Sequence, residues 1–356
     1  MKINFSLSLF ILFNIISFSA LSESAFDSNF INVNIETINA KESKNESINK
    51  IINISLQQLS NKILTNKSNK KFDKLIDSSL SKNQLIKNII IEDEIITNEK
   101  YIANIKINFD HQKVINLLIN NKINYTDLIS KPFLIISSYN ISFNNIALDK
   151  NNILHNYLKN KEIQKSKLIN FTFPYLDAND RYILDYKKII NEDSNSFDKI
   201  LNKYNLNQLI YINISKSHEL NELNIVIKSY DNKIFNKISE FKFNRSNYNS
   251  NELFDNLSDN ILSHIIEWWK NQYLINVNDY STFECKIISN NFDDLIKIKS
   301  VIKNFSQVKN FIIKNVQLNM NNVEFFYYGD IEVLLKSFSL SNLFYKNENG
   351  CIITTI

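Results

Sequence analysis

The chain has 356 residues, 44% of them hydrophobic and 22% charged, which is enough apolar material for two or three modest cores. Its 41 basic and 37 acidic side chains give a formal net charge of +4, and both signs are mixed along the whole sequence. Because a nucleic-acid-binding surface gathers Lys and Arg into a patch or stripe, this distribution excludes nucleic acid as the expected partner.

The first 22 residues are typical of a secretory signal peptide. Lys2 precedes an apolar run at residues 5–18, and small residues follow the run. A membrane-spanning helix needs roughly 20 apolar residues, so this run is too short to act as one. We expect cleavage after Ser22, with Ser24 as the alternative site. The mature chain is then exported to the periplasm and has no transmembrane segment.

Residues 23–131 are predicted to form an N-terminal α+β domain. Apolar and polar residues alternate at 30–38, as in a half-buried strand, and Ile and Leu recur at helical spacing over 48–63. Asp110 stands at the N-cap position of a later helix. Two further strands are expected before it, at 87–96 and 101–109.

Residues 132–278 are predicted to form a middle α/β domain with a mixed sheet. Pro132 marks its start, ahead of a strand, a helix and a second strand. A long helix that begins at Ser250, a good N-cap, ends the domain. Three runs of β type are expected in between, at 208–215, 223–230 and 233–243.

Residues 279–356 are predicted to form a ferredoxin-like domain. The pattern is strand, helix, strand, strand and helix, followed by a tail that contains LFYK, an Asn349-Gly350 turn and CIITTI. This βαββαβ order is that of the ferredoxin-like arrangement. The whole mature chain is therefore expected to be of α+β or α/β class, with two small α/β units followed by the ferredoxin-like unit.

The segment FPYLDANDRYIL gathers two acids and an arginine behind Pro174. Proline lacks a backbone N–H, so the preceding strand should end there. Asp177 or Asn179 can then cap a helix that begins near Asp180, and Arg181 can pair with either acid. Ligands also bind at the C-terminal ends of strands in α/β sheets, so a capping role and an active site both stay open for these residues.

This segment resembles the signature of the domain of unknown function 2066 family, whose members are exported proteins of Gram-negative bacteria. The matching residues are Pro174, Leu176, Asp177, Asp180 and Arg181. A second match lies upstream of this segment, and its matching residues are Phe109, Asp110, Val114, Leu117, Leu118 and Pro132. Within this match Lys131 stands where the family usually has arginine. The resemblance implies an envelope protein without assigned activity, so it transfers no catalytic residue.

The histidines and tryptophans favour structural roles. No histidine has a His or Cys partner at metal-ligand spacing, and with two glycines no phosphate-binding loop is expected, so we predict neither metal nor cofactor. Trp268 continues the buried stripe of the long helix, and Trp269 either widens that stripe or is an exposed aromatic side chain that contacts a partner. The histidines are His111, His155, His218 and His264.

The two cysteines, Cys285 and Cys351, both lie in the C-terminal unit. In a ferredoxin-like sheet the first and last strands are antiparallel neighbours. Aligning the strand centres places Cys351 opposite Ile287 or Ile288, and such diagonal neighbours lie roughly 7–8 Å apart, beyond the usual disulfide distance. Two buried thiols are therefore the default expectation, and a disulfide is the alternative that an oxidising compartment permits.

These observations lead to two hypotheses about function. The first is a non-enzymatic periplasmic scaffold or interaction protein with a protein partner in the cell envelope. The alternative is an envelope hydrolase that acts through Asp177, Asp180 and Arg181.

Overall fold

The computed structural model describes residues 25–37, 39–78, 82–140, 145–164, 168–217, 219, 221–245, 250–289, 291–315, 317, 319–341, 343–346 and 351–355. These residues form three sheets and ten α-helices, so the mixed α and β class predicted from the sequence is confirmed. The predicted signal peptide at 1–22, His218 and the predicted Asn349-Gly350 turn lie outside the described residues.

The first sheet is antiparallel and has three strands in the order β1-β3-β2. Burial alternates along β3, which presents Tyr101, Ala103 and Ile105 to the core and mostly polar residues to the other face. Helix α1 packs on this apolar face. The elements are β1 (Ile31–Glu36), α1 (Ala40–Ile63), α2 (Asn66–Ser78), β2 (Ile86–Ile96), β3 (Lys100–Phe109) and α3 (His111–Asn120).

The second sheet is mixed, as predicted, with strand order β5-β4-β6-β7-β8. Strands β5, β4 and β6 are parallel, whereas β7 and β8 are added antiparallel. Seven of the eight residues of β4 are buried, as expected for a parallel strand covered on both faces. The elements are β4 (Phe133–Asn140), α4 (Ile153–Gln164), β5 (Phe171–Thr172), α5 (Ala178–Ile183), α6 (Tyr186–Ile190), α7 (Ser194–Tyr204), β6 (Gln208–Lys216), β7 (Glu222–Asp231), β8 (Ile234–Asn244) and α8 (Ser250–Gln272).

The third sheet has five strands in the order β10-β11-β9-β13-β12. Strands β9, β10 and β11 are antiparallel, and their spatial order β10-β11-β9 is that of the first three strands of a ferredoxin-like sheet. The elements are β9 (Tyr280–Ile288), α9 (Phe292–Lys303), β10 (Val308–Asn315), β11 (Met320–Tyr328), α10 (Ile331–Leu340), β12 (Leu343–Lys346) and β13 (Cys351–Thr355).

The closing strand of the third sheet departs from the ferredoxin-like pattern. Strand β13 lies next to β9 and runs parallel to it, so the expected antiparallel neighbour is wrong. Strand β12 has the direction expected of the fourth ferredoxin-like strand, but it pairs antiparallel with β13 at the sheet edge. The physical reason is burial, because Cys351 and Ile353 of β13 fill the core beside β9.

The hydrophobic cores do not coincide with the three sheets. One core lies between the first sheet and one face of the second sheet, and it includes Ile105, Leu118, Ile210 and Leu257. A second core lies on the other face of the second sheet, and a third belongs to the C-terminal sheet. Each sheet takes its strands from one of the segments 23–131, 132–278 and 279–356, whose boundaries as domains stay predictions.

The C-terminal end of α8 joins the first segment to the second. The indole N–H of Trp269 donates to the carbonyl oxygen of Leu128 at 2.8 Å. The amino group of Lys270 donates to the carbonyl oxygens of Asn61 and Leu64, the latter at 2.8 Å. Since Leu64 is the C-cap of α1, Lys270 places a cation where the carbonyl groups of a helix end need donors. Among the described residues no helix combines the length and the apolarity to cross a membrane.

Candidate functional site

The loop that follows β5 carries the charged cluster singled out in the sequence. Pro174 comes two residues after the end of β5, and helix α5 begins at Ala178. Between them Leu176 adopts a left-handed backbone conformation with φ of 59°. Residues with a Cβ atom rarely adopt this conformation. The buried side chain of Leu176 packs in the second core and holds this conformation in place.

The two carboxylates of the loop form a capping box. The backbone N–H of Asp180 donates to the Asp177 side chain at 2.8 Å, and the backbone N–H of Asp177 donates to the Asp180 side chain at 3.3 Å. Asp177 is therefore the N-cap of α5, which is one of the two caps that the sequence predicts. The capping interpretation accounts for the spacing of the two acids.

Asp180 is fully buried and is surrounded by donors from the end of α7. The amino group of Lys203 lies 2.6 Å from Asp180 Oδ1 and 2.8 Å from both carboxylate oxygens of Asp177. The hydroxyl of Tyr204 donates to Asp180 at 2.8 Å to Oδ2 and 3.0 Å to Oδ1. The same hydroxyl accepts from the backbone N–H of Tyr175 at 2.7 Å. The buried carboxylate of Asp180 is thus paired with the amino group of Lys203, and both of its oxygens accept hydrogen bonds.

The pKa values in this network follow from the same contacts. Burial opposes the charge of Lys203, but its hydrogen bonds to Asp177 and Asp180 outweigh burial and raise the pKa of its amino group. The hydrogen bond from Lys203, followed by the backbone N–H of Asp180, lowers the pKa of Asp177. Burial raises the pKa of Tyr204, the backbone N–H of Tyr175 opposes this shift, and the hydrogen bond to Asp180 adds to it. These shifts favour a static ion network in which Lys203 and Asp177 are charged and Tyr204 is neutral.

Arg181 does not join the two acids of the loop, so the predicted pairing with Asp177 or Asp180 is wrong. Its guanidinium Nη1 donates to Asp149 Oδ2 at 2.7 Å. Asp149 lies in the turn before α4, and its side chain is partly exposed. The reason for the difference is that Lys203 already occupies the space between the acids. Such an exposed pair contributes at most about 1 kcal/mol.

The loop after β5 and the short helix α5, together called the loop at residues 173–184, expose two tyrosine side chains. Tyr175 is 78% exposed and Tyr182 is 82% exposed, on either side of the buried Asp180. The ring of Tyr175 packs on the ring of Tyr204 at 5.4 Å, and the amino group of Lys188 lies 5.7 Å from the centre of the Tyr182 ring. Large exposed aromatic side chains on a firmly held loop are typical of contact surfaces.

His155 packs beneath the start of this loop. Its ring contacts the ring of Phe173 edge-on at 5.4 Å, and its backbone N–H donates to the side chain of the buried Asn152. Burial lowers the pKa of His155 to about 4, with Lys159 acting in the same direction and Asp180 against it. His155 therefore has a packing role, and it is neutral at pH 7.

Trp269 has a packing role as well. Its side chain is 2% exposed, and its ring meets the ring of Phe133 edge-on at 5.9 Å. Trp268, which the sequence places in the buried stripe, is only partly buried. The interpretation of Trp269 as an exposed contact is therefore wrong, because the backbone carbonyl of Leu128 holds the indole inside the core.

Cys285 and Cys351 form a disulfide bond. The two residues are direct partners in the parallel pair of β9 and β13, and their Cα atoms are 4.5 Å apart. The default expectation of two thiols is wrong, and so is the predicted offset of two residues. Both errors have one source, because the offset of two residues applies to antiparallel strands, whereas β9 and β13 are parallel.

Sequence reasoning missed Lys203, Tyr204 and the exposed tyrosines of the loop. No local pattern marks Lys203 or Tyr204, which lie 23 and 24 positions after Asp180. Within the part of the chain that the structure describes, no three His, Cys, Asp or Glu side chains are placed to hold a metal ion. No protein-family model, curated protein or solved structure matches the chain, so the resemblance to the domain of unknown function 2066 family stays a prediction.

Proposed function

We propose that this chain is a non-enzymatic interaction protein of the cell envelope, and that the loop at residues 173–184 is its contact surface for a protein partner. One observation carries the proposal. The carboxylates that suggest catalysis, those of Asp177 and Asp180, are bound by Lys203 and by each other's backbone N–H groups, whereas the side chains of Tyr175 and Tyr182 are exposed to solvent.

The chemistry of the exposed residues supports a protein partner. Tyrosine and arginine are over-represented among the residues that dominate binding energy, and Tyr175, Arg181 and Tyr182 lie together on this loop. The capping box and the buried Asp180 hold the loop backbone before any partner binds. A contact surface that is ordered in advance loses less conformational entropy on binding.

Two features support a periplasmic location. The apolar run at residues 5–18 with its small flanking residues is typical of a signal peptide. The bond between Cys285 and Cys351 is of the kind that persists in oxidising compartments. The proposal therefore places the mature chain in the periplasm.

Site-specific photo-crosslinking in living cells tests the proposal. We replace Tyr182 with p-benzoylphenylalanine and use the same replacement at Phe292, an exposed aromatic residue of α9, as the matched control. The expected result is a discrete adduct with one envelope protein from position 182, absent from position 292 and lost when Tyr175→Ala is added. Equal adducts from both positions, or none from position 182, would contradict the proposal.

The same experiment separates the alternative function, an envelope hydrolase that uses Asp177, Asp180 and Arg181. Arg181→Ala and Asp177→Asn change the two partly exposed charges of the cluster. If these variants keep the wild-type melting temperature and the crosslink but do not restore the phenotype of cells that lack the protein, the hydrolase is favoured over the interaction protein. If the variants lose both the crosslink and the ability to restore that phenotype, the interaction function is supported.

A further inference from the structure

A cleft of about 610 Å³ opens where the three segments of the chain meet. Its volume lies within the range of roughly 300–1,000 Å³ that is usual for small-molecule sites. The first segment contributes Phe26, His111 and residues 127–129 to its lining, and Ile275 comes from the end of the second. Residues of α9, α10 and the turns that follow them complete the lining from the third segment. None of the residues of the 173–184 loop takes part.

Apolar and polar groups contribute almost equally to the exposed wall of the cleft. Phe26 and Leu128 lie on one side, and Val301, Phe305 and Leu340 come from the C-terminal unit. Phe26 also packs against the ring of His111 at 4.5 Å between ring centres. The apolar side chains of this wall favour a ligand with an apolar body, because contact with them removes apolar surface from water.

The cleft lining contains a single carboxylate. Asp127 is the one acidic side chain among the 16 lining residues, and no lysine or arginine is among them. Its Oδ2 lies 3.5 Å from Nε2 of His111, and its side chain is mostly buried. A long contact with one histidine leaves most of the accepting capacity of the carboxylate open to a further donor.

Two residues of the lining each carry a buried side-chain oxygen without a hydrogen-bond partner among the described residues. Gln307 is 1% exposed, and its Nε2 donates to the carbonyl oxygen of Asp330 at 3.0 Å, but its Oε1 has no partner among the described residues. Ser306 is 8% exposed, and its Oγ likewise has no partner among them. Buried polar groups are nearly always hydrogen-bonded, so each such group calls for a donor.

We propose that this cleft binds a small amphipathic amine. The apolar body of the ligand packs against Phe26, Leu128 and Phe305, and the ammonium group lies at the carboxylate of Asp127. An alkylammonium group has three N–H donors and no acceptor, which suits the Asp127 carboxylate in a lining that contains no lysine or arginine. The ligand would contact all three segments, and it would therefore stabilise their arrangement.

A neighbouring pocket provides the natural competing outcome. It shares Phe305 and Ser306 with the cleft but is lined by three lysines, Lys299, Lys303 and Lys309. Those lysines would favour an amphiphile with the same apolar body and an anionic head group. A comparison of ligands that differ only in head group therefore distinguishes the two pockets.

Isothermal titration calorimetry on the full-length protein, with n-octylamine, 1-octanol and octanoate as probes, tests the proposal. The expected result is that n-octylamine binds at least about tenfold more tightly than either other probe, since a charge-assisted hydrogen bond distinguishes it. Asp127→Asn is expected to remove this preference and to leave the binding of 1-octanol unchanged. Asp293→Asn removes the same charge at an exposed position of α9 and serves as the matched control.

Three results would overturn the proposal. They are a preference for octanoate, absence of heat with n-octylamine up to its solubility, and an equal loss of n-octylamine and 1-octanol binding in Asp127→Asn. Circular dichroism verifies that each variant folds. If Asp127→Asn does not fold, the comparison of n-octylamine with 1-octanol on the wild-type protein decides, and equal affinities for the two probes would refute the assignment.

Discussion

The hydroxyl of Tyr204 provides the sharpest test of the loop at residues 173–184. Tyr204→Phe removes a single oxygen atom and keeps the ring that packs on Tyr175. The lost hydroxyl donates to both carboxylate oxygens of Asp180 and accepts from the backbone N–H of Tyr175. We expect this substitution to destabilise the protein although it opens almost no cavity.

The size of the effect depends on which of the lost partners water can reach. The Tyr175 backbone is exposed, so water replaces the hydroxyl there and the loss is small. Asp180 is fully buried, so its carboxylate keeps only Lys203 and the backbone N–H of Asp177 as donors. A hydrogen bond to a buried charge contributes about 1.5–3 kcal/mol, so we expect the free energy of unfolding to fall by about 2–3 kcal/mol.

Urea-induced unfolding, followed by the fluorescence of the two tryptophans in α8, measures this change in the free energy of unfolding. The matched control is Tyr182→Phe, which removes the same atom from a side chain that is 82% exposed. We expect the control to lie within about 0.5 kcal/mol of the wild type, as exposed substitutions usually do. A Tyr204→Phe variant that also lies within this margin, or equal losses in both variants, would refute the structural role of Asp180.

Three further predictions concern the disulfide, His155 and Trp269. Cys285→Ser opens a loop of 66 residues, so we expect a loss of about 4 kcal/mol in the chain-entropy model, measured by urea unfolding without reductant. The pKa of His155 is about 4 in the folded chain against a reference of 6.5, so the unfolded chain binds the proton more readily. The stabilising contribution of neutral His155 is therefore complete above pH 6.5 and is lost as the pH falls to about 4. His155→Gln should flatten this pH dependence of the melting temperature, and an unchanged slope would contradict it. Trp269→Phe leaves the Leu128 carbonyl oxygen without its indole donor, so we expect a loss of about 2–4 kcal/mol in thermal unfolding, compared with a smaller loss for Trp268→Phe.

Much of the secondary structure could be predicted because its causes are local. The capping residue Asp177 and the N-cap Asp110 were predicted because an N-cap acts on residues two or three positions away. The alternation along β3 is a property of the strand itself. The partner of Arg181 could not be predicted, since Asp149 and Lys203 reach the loop from other parts of the chain.

The order of strands in the third sheet could not be predicted either, because it too depends on contacts between distant parts of the chain. The runs that form β12 and β13 are recognisable in the sequence, but their alternation does not indicate which of them lies beside β9. In the structure β13 lies beside β9 and buries Cys351 and Ile353 there, an arrangement that depends on contacts between residues distant in the sequence. The exposure of Tyr175 and Tyr182 could not be predicted either, because FPYLDANDRYIL has no regular apolar and polar alternation that would assign each side chain to a buried or an exposed face.

The contacts at the end of α8 have a consequence for how the chain folds in time. Residues 61 and 64 leave the ribosome about 200 residues before Lys270, and Leu128 precedes Trp269 by 141 positions. Until α8 is available, the carbonyl groups at the end of α1 lack their lysine donor and the core of the first sheet lacks its cover. Pairings of such large sequence separation form late, and the incomplete intermediate exposes apolar surface meanwhile. The first segment is therefore made first and completed last, and a holding chaperone would encounter it during that interval.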